Sequence, residues 1–234
     1  MEGANRFEYS KTKDEDIVAM LIAKCHIGAR NCTYSMRPYV WKRNKEGVHV
    51  FHLNKTWEKL MIAARVIAGI KDPRDILVVG SRECVRRPIM KFAEYTQARS
   101  ITSKWTPGLL TNQLTCKYIE PRVLIASDPR LDITPIKEAS YTNVPIVAFC
   151  DTDSPLESID IAVPCNTKGK NSIALMYWML AREIMYLRGK LSREKKWEIP
   201  MDLFIHKTLE ELVTKQKEPE YKSEKSNAEE SKSE

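Results

Sequence analysis

The sequence predicts an α/β protein with a mostly parallel central sheet. Three observations lead there. Short continuous apolar runs, ILVV (76–79), VLIA (123–126) and PIVAFC (145–150), read as strands buried on both faces. Longer stretches between them repeat their apolar residues with a helical period. The chain has 234 residues, 43% of them hydrophobic, which is enough for one ample core. Strands and helices alternating in this way form right-handed crossover units.

Each element has its own signal. Asp14–Cys25 places Ile17, Met20 and Leu21 at helical spacing, and Gly28 stops the helix. Tyr39–Lys42 and Val48–Leu53 are β-rich on either side of Asn44–Gly47 and read as a hairpin. Asn54 is expected to cap the next helix. Its apolar face runs through Trp57, Leu60, Met61, Ala64, Ile67 and Ala68, and Gly69 ends it. After strand 76–79, Gly80-Ser81 opens a helix with Ile89, Phe92, Ala93 and Thr96 facing inward. Pro88 is expected in the first turn of that helix, where a missing amide costs little. Ser100–Thr102 is a short strand, and Trp105–Gly108 a loop. Strand 123–126 turns at Asp128-Pro129 into a short helix over about Thr134–Ser140. Strands follow at Pro145–Cys150 and Ile159–Val163. Asn171 is expected to cap the longest helix, whose face holds Ile173, Met176, Tyr177, Leu180, Ala181, Ile184 and Leu187 before Gly189 closes it.

Beyond that helix the periodicity fades. Residues 191–214 read as an extension that orders against a partner. Lys215–Glu234 is charged in more than half its positions and cannot bury enough apolar surface to offset chain entropy, so it reads as disordered. The chain thus divides into an N-terminal arm (1–13), an α/β domain (14–190), the extension (191–214) and the tail (215–234).

Composition excludes several classes. The longest apolar run, Ile173–Ala181, is far short of a membrane span, and residues 1–16 contain no secretory apolar core. A reducing compartment is therefore expected, with no disulfides. The six cysteines, at 25, 32, 84, 116, 150 and 165, lack the close pairing of a zinc site. Cys84, Cys116 and Cys150 read as small core residues. No two glycines lie closer than Gly69 and Gly80, so neither a dinucleotide fingerprint nor a P-loop is present, and no cofactor is expected. Asp128 and Asp132 follow one strand, and Asp151 and Asp153 the next. Such carboxylates can hold a divalent metal for group transfer. Beside Pro129 and Pro155 they read more readily as turn and cap residues. A metal-dependent transferase using Asp128, Asp151 and Asp153 is one alternative function.

The formal charge is +7 and the tail is slightly acidic, so the basic excess belongs to the body. It gathers in three stretches: Arg37, Lys42 and Arg43; Arg82, Arg86, Arg87, Arg99 and Lys104; and Arg188, Lys190 and Arg193. Lys168 and Lys170 flank Gly169 before the longest helix. Such patches suit a polyanion backbone, and Trp41, Trp105 and Trp197 among them can stack on bases.

Several blocks carry a family resemblance: KCHIG (24–28), KTWEKLMIAARVI (55–67), WTPGLLTNQ (105–113), EPRVLIASDPRLDITPIKEASYTNVP (120–145), CDTDSPLESIDIAVPCNTKG (150–169) and LMYWMLAREIMYLRGKLSREKKWE (175–198). They resemble the eukaryotic small-subunit ribosomal protein SA family, also called laminin-receptor-precursor-like, the counterpart of the second bacterial small-subunit protein. The resemblance implies a flavodoxin-like three-layer fold and a structural constituent of the small ribosomal subunit at the head–body junction near the mRNA exit. It implies contact with small-subunit rRNA and neighbouring ribosomal proteins, and a part in subunit maturation. It implies no catalytic residues, no cofactor, no small-molecule substrate and no membrane partner. The expected location is cytoplasmic on the ribosome, with a nuclear stage during assembly. The thirteen basic residues from Arg37 to Arg193 named above then become expected rRNA contacts. A second alternative is cell-surface adhesion: LMYWML (175–180) resembles the segment linked to laminin in animals, with Tyr177 in place of the first of two usual tryptophans. As residues, this stretch reads as a core-facing helix.

Overall fold

The computed structural model describes residues 13–115, 117–193 and 197–207. Helix α1 (13–22) leads through a 3-10 turn, Tyr34–Tyr39, to the antiparallel hairpin β1 (Val40–Arg43) and β2 (His49–Phe51). Helix α2 (Leu53–Ala68) precedes β3 (Ile76–Val79), α3 (Glu83–Thr96) and β4 (Arg99–Ile101). Then come β5 (Val123–Ala126), α4 (Ile133–Tyr141), β6 (Ile146–Cys150), β7 (Ile161–Pro164) and α5 (Lys170–Leu187). The five strands β3–β7 form one wholly parallel sheet in the order β4-β3-β5-β6-β7. Counted along the chain this order is 2-1-3-4-5, the flavodoxin-like doubly wound arrangement.

Alternation along each strand divides the interior in two. Ile76, Val78, Val123, Ile125, Val147, Phe149 and Val163 face the larger core with α1, α2, α3 and α5. Leu77, Val79, Leu124, Ala126, Ile146, Ala148 and Cys150 face the other, under Ile136 and Ala139 of α4, Met36, Phe51 and Leu110. This is why β3, β5 and β6 are apolar at every position: both faces are covered. Within α5, Tyr177 is fully buried between Phe92 (5.7 Å between ring centroids) and Phe149 (4.9 Å). Its hydroxyl lies 2.6 Å from Ser127 Oγ, which donates to the Val79 carbonyl. Leu175, Met176, Met179 and Leu180 are buried with it, so LMYWML is core.

Several sequence expectations shift. Helix α2 begins at Leu53 with His52 as its cap residue, so Asn54 lies in the first turn and does not cap. Helix α5 begins at Lys170 after Gly169, and Asn171 is inside it. Asn166 holds the approach instead, its Oδ1 accepting from the amides of Lys168 (3.0 Å) and Gly169 (3.1 Å). Pro88 is six residues into α3, one turn later than expected. There its missing amide removes the bond to the Cys84 carbonyl, and its ring is buried. Cys150 is buried as expected, but Cys84 is only half-buried and Cys116 lies outside the described residues. Cys25, at the end of the first helical pattern, and Cys165 are fully buried as well, and burial pushes the Cys25 thiol up to about 11.

The stretch 197–207 packs on the chain's own body. Trp197 stacks on Trp178 (5.6 Å) and meets Tyr95 edge-on (5.4 Å); Phe204 is fully buried and stacks on Tyr95 (5.9 Å). Trp178 Nε1 donates to the Ile199 carbonyl and Arg87 Nε to that of Leu203. The expected tail, 215–234, and residues 1–12 of the arm lie outside the described residues.

Gly80 ends β3 in a space that no side chain fits. A Cβ there would stand 2.6 Å from both Ile89 Cδ1 and Ser127 Oγ. Gly80→Ala is expected to cost about 1–3 kcal/mol through overpacking, read as a lower denaturant midpoint with unchanged slope.

Candidate nucleic-acid interface

The basic residues fall into four neighbourhoods, and their partners differ. On the hairpin side, the 3-10 turn presents Arg37 over the Tyr34 ring (5.3 Å), and β1 presents Lys42 over the Trp41 ring (4.3 Å). Tyr34 is 80% and Trp41 63% exposed, so each pair offers solvent a cation and an aromatic face together. Arg43 instead donates through Nε to the Gly47 carbonyl and closes the hairpin turn.

At the carboxyl ends of the strands most cations are engaged. Arg82 Nη2 lies 2.8 Å from Asp128 Oδ2, which also accepts from Thr167 Oγ1. Lys168 Nζ lies 3.1 Å from Asp153 and 3.3 Å from Asp151, and Arg130 reaches Asp153 at 2.6 Å. Burial works against the charge on Lys168, but the two carboxylates prevail and raise its pKa. Asp132 accepts from the amide and hydroxyl of Ser81. Burial pushes the carboxyls of Asp132 and Asp151 upward. At the crevice between β3 and β5, where doubly wound sheets commonly take ligands, Ser81 bonds Asp132, and Arg82 and Thr167 bond Asp128. Asp128, Asp151 and Asp153 act as ion-pair and turn residues, Asp132 makes no cap bond to α4, and among the described residues no group of three His, Cys, Asp or Glu is placed to hold a metal. Nearby, Arg87 is tied to Leu203. Arg86 is exposed on α3 with no hydrogen-bond or ion-pair partner among the described residues, and Lys170 opens α5.

At the sheet edge, Arg99 lies in exposed β4 beside Arg74, Asp72 and Asp75 in a polar hollow. Lys104 shares a second groove, about 460 Å³, with Lys117, Tyr118 and the hydroxyl residues Ser100, Thr102 and Ser103. Among the described residues no carboxylate lines that groove. Lys117 escaped the sequence reading because it stands alone in its stretch; only the folding of 102–119 back on β4 brings it to Lys104. Trp105 turns inward, donating to Glu138, so it offers no stacking face like that of Trp41.

In the fourth neighbourhood, Arg188 Nη1 donates to the Thr96 carbonyl at the end of α3, and burial lowers its pKa. Arg193 pairs with Glu183 (3.3 Å) and lies over Tyr186 (5.2 Å). Lys190 is exposed. The thirteen expected contacts therefore do not form one continuous patch of equivalent cations. Arg37, Lys42, Arg86, Arg99, Lys104 and Lys190 are presented to solvent, whereas Arg43, Arg82, Arg87, Lys168, Arg188 and Arg193 also hold the fold.

The family model for ribosomal protein S2 matches residues 20–120 and 115–186, from α1 to the last turn of α5. The chain belongs to the ribosomal protein S2 family. Among S2 relatives, the small ribosomal subunit protein uS2 of Nematostella vectensis is 49% identical over 199 residues, which are 85% of this chain and 64% of that protein. The uS2 protein of Diaphorina citri is 48% identical over 199 residues, 85% of this chain and 66% of its own length. The uS2C protein of the yeast Schizosaccharomyces japonicus is 48% identical over 199 residues, 85% of this chain and 69% of its own. The chain thus spans about two thirds of the length of these S2 proteins. Among the described residues, no helix is long and apolar enough to cross a membrane.

Proposed function

We propose that the chain is a structural constituent of the small ribosomal subunit. It binds small-subunit rRNA and neighbouring ribosomal proteins at the head–body junction near the mRNA exit, supports subunit maturation, and catalyses no reaction. It works on cytoplasmic ribosomes after a nuclear stage of assembly. Membership of the S2 family across the whole three-layer domain carries this reading. The surface chemistry agrees with it: paired cations and aromatics at Arg37–Tyr34 and Lys42–Trp41 suit phosphate contact with base stacking. The groove of Lys104 and Lys117 suits an RNA backbone.

The test is salt dependence of binding to small-subunit rRNA. Replacing Arg37, Lys42 and Arg86 together by alanine is expected to reduce the slope of log K against log salt by about two to three, roughly one per phosphate contact, with the melting temperature unchanged. Lys104→Ala with Lys117→Ala is expected to reduce it by about one to two. An unchanged slope in both variants sinks this assignment of residues. Failure of the full chain to co-sediment with the small subunit on a sucrose gradient sinks the function itself.

A further inference from the structure

A proline directly after serine or threonine is the mark that proline-directed kinases read. Three such dipeptides occur in the chain: Thr106-Pro107, Thr134-Pro135 and Ser154-Pro155. The fold separates them. Ser154 is fully buried, and its Oγ accepts from the Asp151 amide at 3.0 Å. Thr134 is exposed, but it is the second residue of α4 and Pro135 is buried. Thr106 and Pro107 are both exposed and belong to no helix or strand. The residue before a proline is biased to extended backbone, the form in which a substrate strand lies in a kinase cleft. The Thr106 hydroxyl makes no hydrogen bond among the described residues.

The surroundings suit the modified residue. Thr106 lines the groove of Lys104 and Lys117. Glu138 pins the loop on both sides of the dipeptide, through Trp105 Nε1 (3.1 Å) and the Gly108 amide (2.9 Å). Both lysines are exposed, and neither has a hydrogen-bond or ion-pair partner among the described residues. Two carboxylates stand close by, and both are engaged: Glu138 with those donors, and Glu120, outside the lining, with the Tyr118 hydroxyl at 2.7 Å. The lysines are left to an outside anion.

We propose that Thr106 is a phosphorylation site for a proline-directed kinase, and that its phosphate engages Lys104 and Lys117 and closes the groove to rRNA. The second half rests on the reading of this groove as an rRNA contact; the first does not. In the transfer, the γ-phosphorus of ATP bonds to Thr106 Oγ1 as its bond to the β,γ-bridging oxygen breaks. ADP leaves, and the hydroxyl proton passes to the kinase's catalytic carboxylate. A phosphothreonine brings a charge of about −1.5 to −2 and three acceptor oxygens, enough to engage both lysines. RNA in the groove would cover Thr106, so the modification acts on the chain before it assembles.

The test begins with the full chain, ATP and a kinase of the mitogen-activated class, the product being mapped by peptide mass spectrometry. Phosphate is expected on Thr106, absent from Thr134 and Ser154, and lost from this loop in Thr106→Ala. The phosphorylated chain, with its melting temperature unchanged, is expected to bind small-subunit rRNA with a slope of log K against log salt lower by about one to two. In Lys104→Ala with Lys117→Ala the same phosphate is expected to lower the slope no further, which separates capture of the lysines from general repulsion of RNA. No phosphate at Thr106, or an unchanged slope in a phosphorylated chain whose lysine pair does contribute, overturns the proposal. Failure of the groove reading is seen separately, as a slope that the lysine substitutions leave unchanged. That result removes the second half of the proposal, and the site itself then stands or falls by the mapping.

Discussion

Arg182→Leu is expected to destabilise the domain by about 3–5 kcal/mol, the cost of leaving buried charges without their partner. Arg182 sits in α5 with its side chain only 12% exposed. Its Nη2 reaches Asp16 Oδ2 of α1 at 2.7 Å and Glu183 Oε1 at 3.2 Å. Asp16 also accepts from Trp57 Nε1 of α2, so one carboxylate joins three helices. The guanidinium lies over Trp178 at 5.0 Å, flat packing that a lysine cannot reproduce. Burial opposes the charge on Arg182, yet the Asp16 and Glu183 carboxylates together outweigh it and raise the pKa. Leucine fills part of the volume but leaves the nearly inaccessible Asp16 with the Trp57 hydrogen bond and no cation, and Glu183 with Arg193 alone. The loss should appear as a fall of roughly 10 °C in melting temperature. Adding Asp16→Asn to Arg182→Leu should recover part of it, because one stranded charge is then gone. A loss below about 1 kcal/mol would mean that the pair is not desolvated.

Glu138→Ala should cost about 3 kcal/mol, through buried donors left without an acceptor. Glu138 projects from α4 into the loop 105–110, where its carboxylate accepts from Trp105 Nε1 (3.1 Å) and the amides of Gly108 (2.9 Å) and Leu110 (3.4 Å). The residue is buried, so water cannot replace it without opening the loop. Hydrogen exchange should speed up at Gly108 and Leu110 well before the sheet responds, and Trp105 fluorescence should shift to the red. Glu138→Gln should cost less, since its carbonyl keeps one or two of the bonds while its NH₂ faces donors. Loosening this loop also loosens Lys104 and Lys117, so the alanine variant should lose part of the salt dependence of RNA binding. Unchanged exchange at Gly108 and Leu110 would remove Glu138 from this role.

The strands were legible in the sequence because their signal is local. Ile76–Val79 and Val123–Ala126 are continuous apolar runs bounded by polar residues, and the structure places both strands on the expected residues. Helix boundaries were less legible. Asn54 and Asn171 looked like caps, but a cap depends on backbone angles that the residue type does not determine, and Asn166 serves from further upstream. The basic surface was least legible. Arg82 and Arg86 look alike in sequence; one meets Asp128, a residue far along the chain, and the other meets solvent. Whether a cation is structural or available is decided by tertiary partners, and a count of charges along the chain does not contain them. Lys117 and Tyr34 were overlooked for the same reason, since their companions come from another stretch or lie outside the basic runs.

The burial of α5 has a consequence for synthesis. The inner faces of α2 and α3 rest largely on Ile173, Met176, Tyr177, Leu180 and Ile184. A chain emerging from its amino end therefore displays Leu60, Ile67, Ile89 and Phe92 uncovered until residue 187 has left the exit tunnel. At ordinary elongation rates that interval is roughly ten seconds. For that time the nascent chain is an unfinished core with a basic surface, the state in which it most needs a holding chaperone.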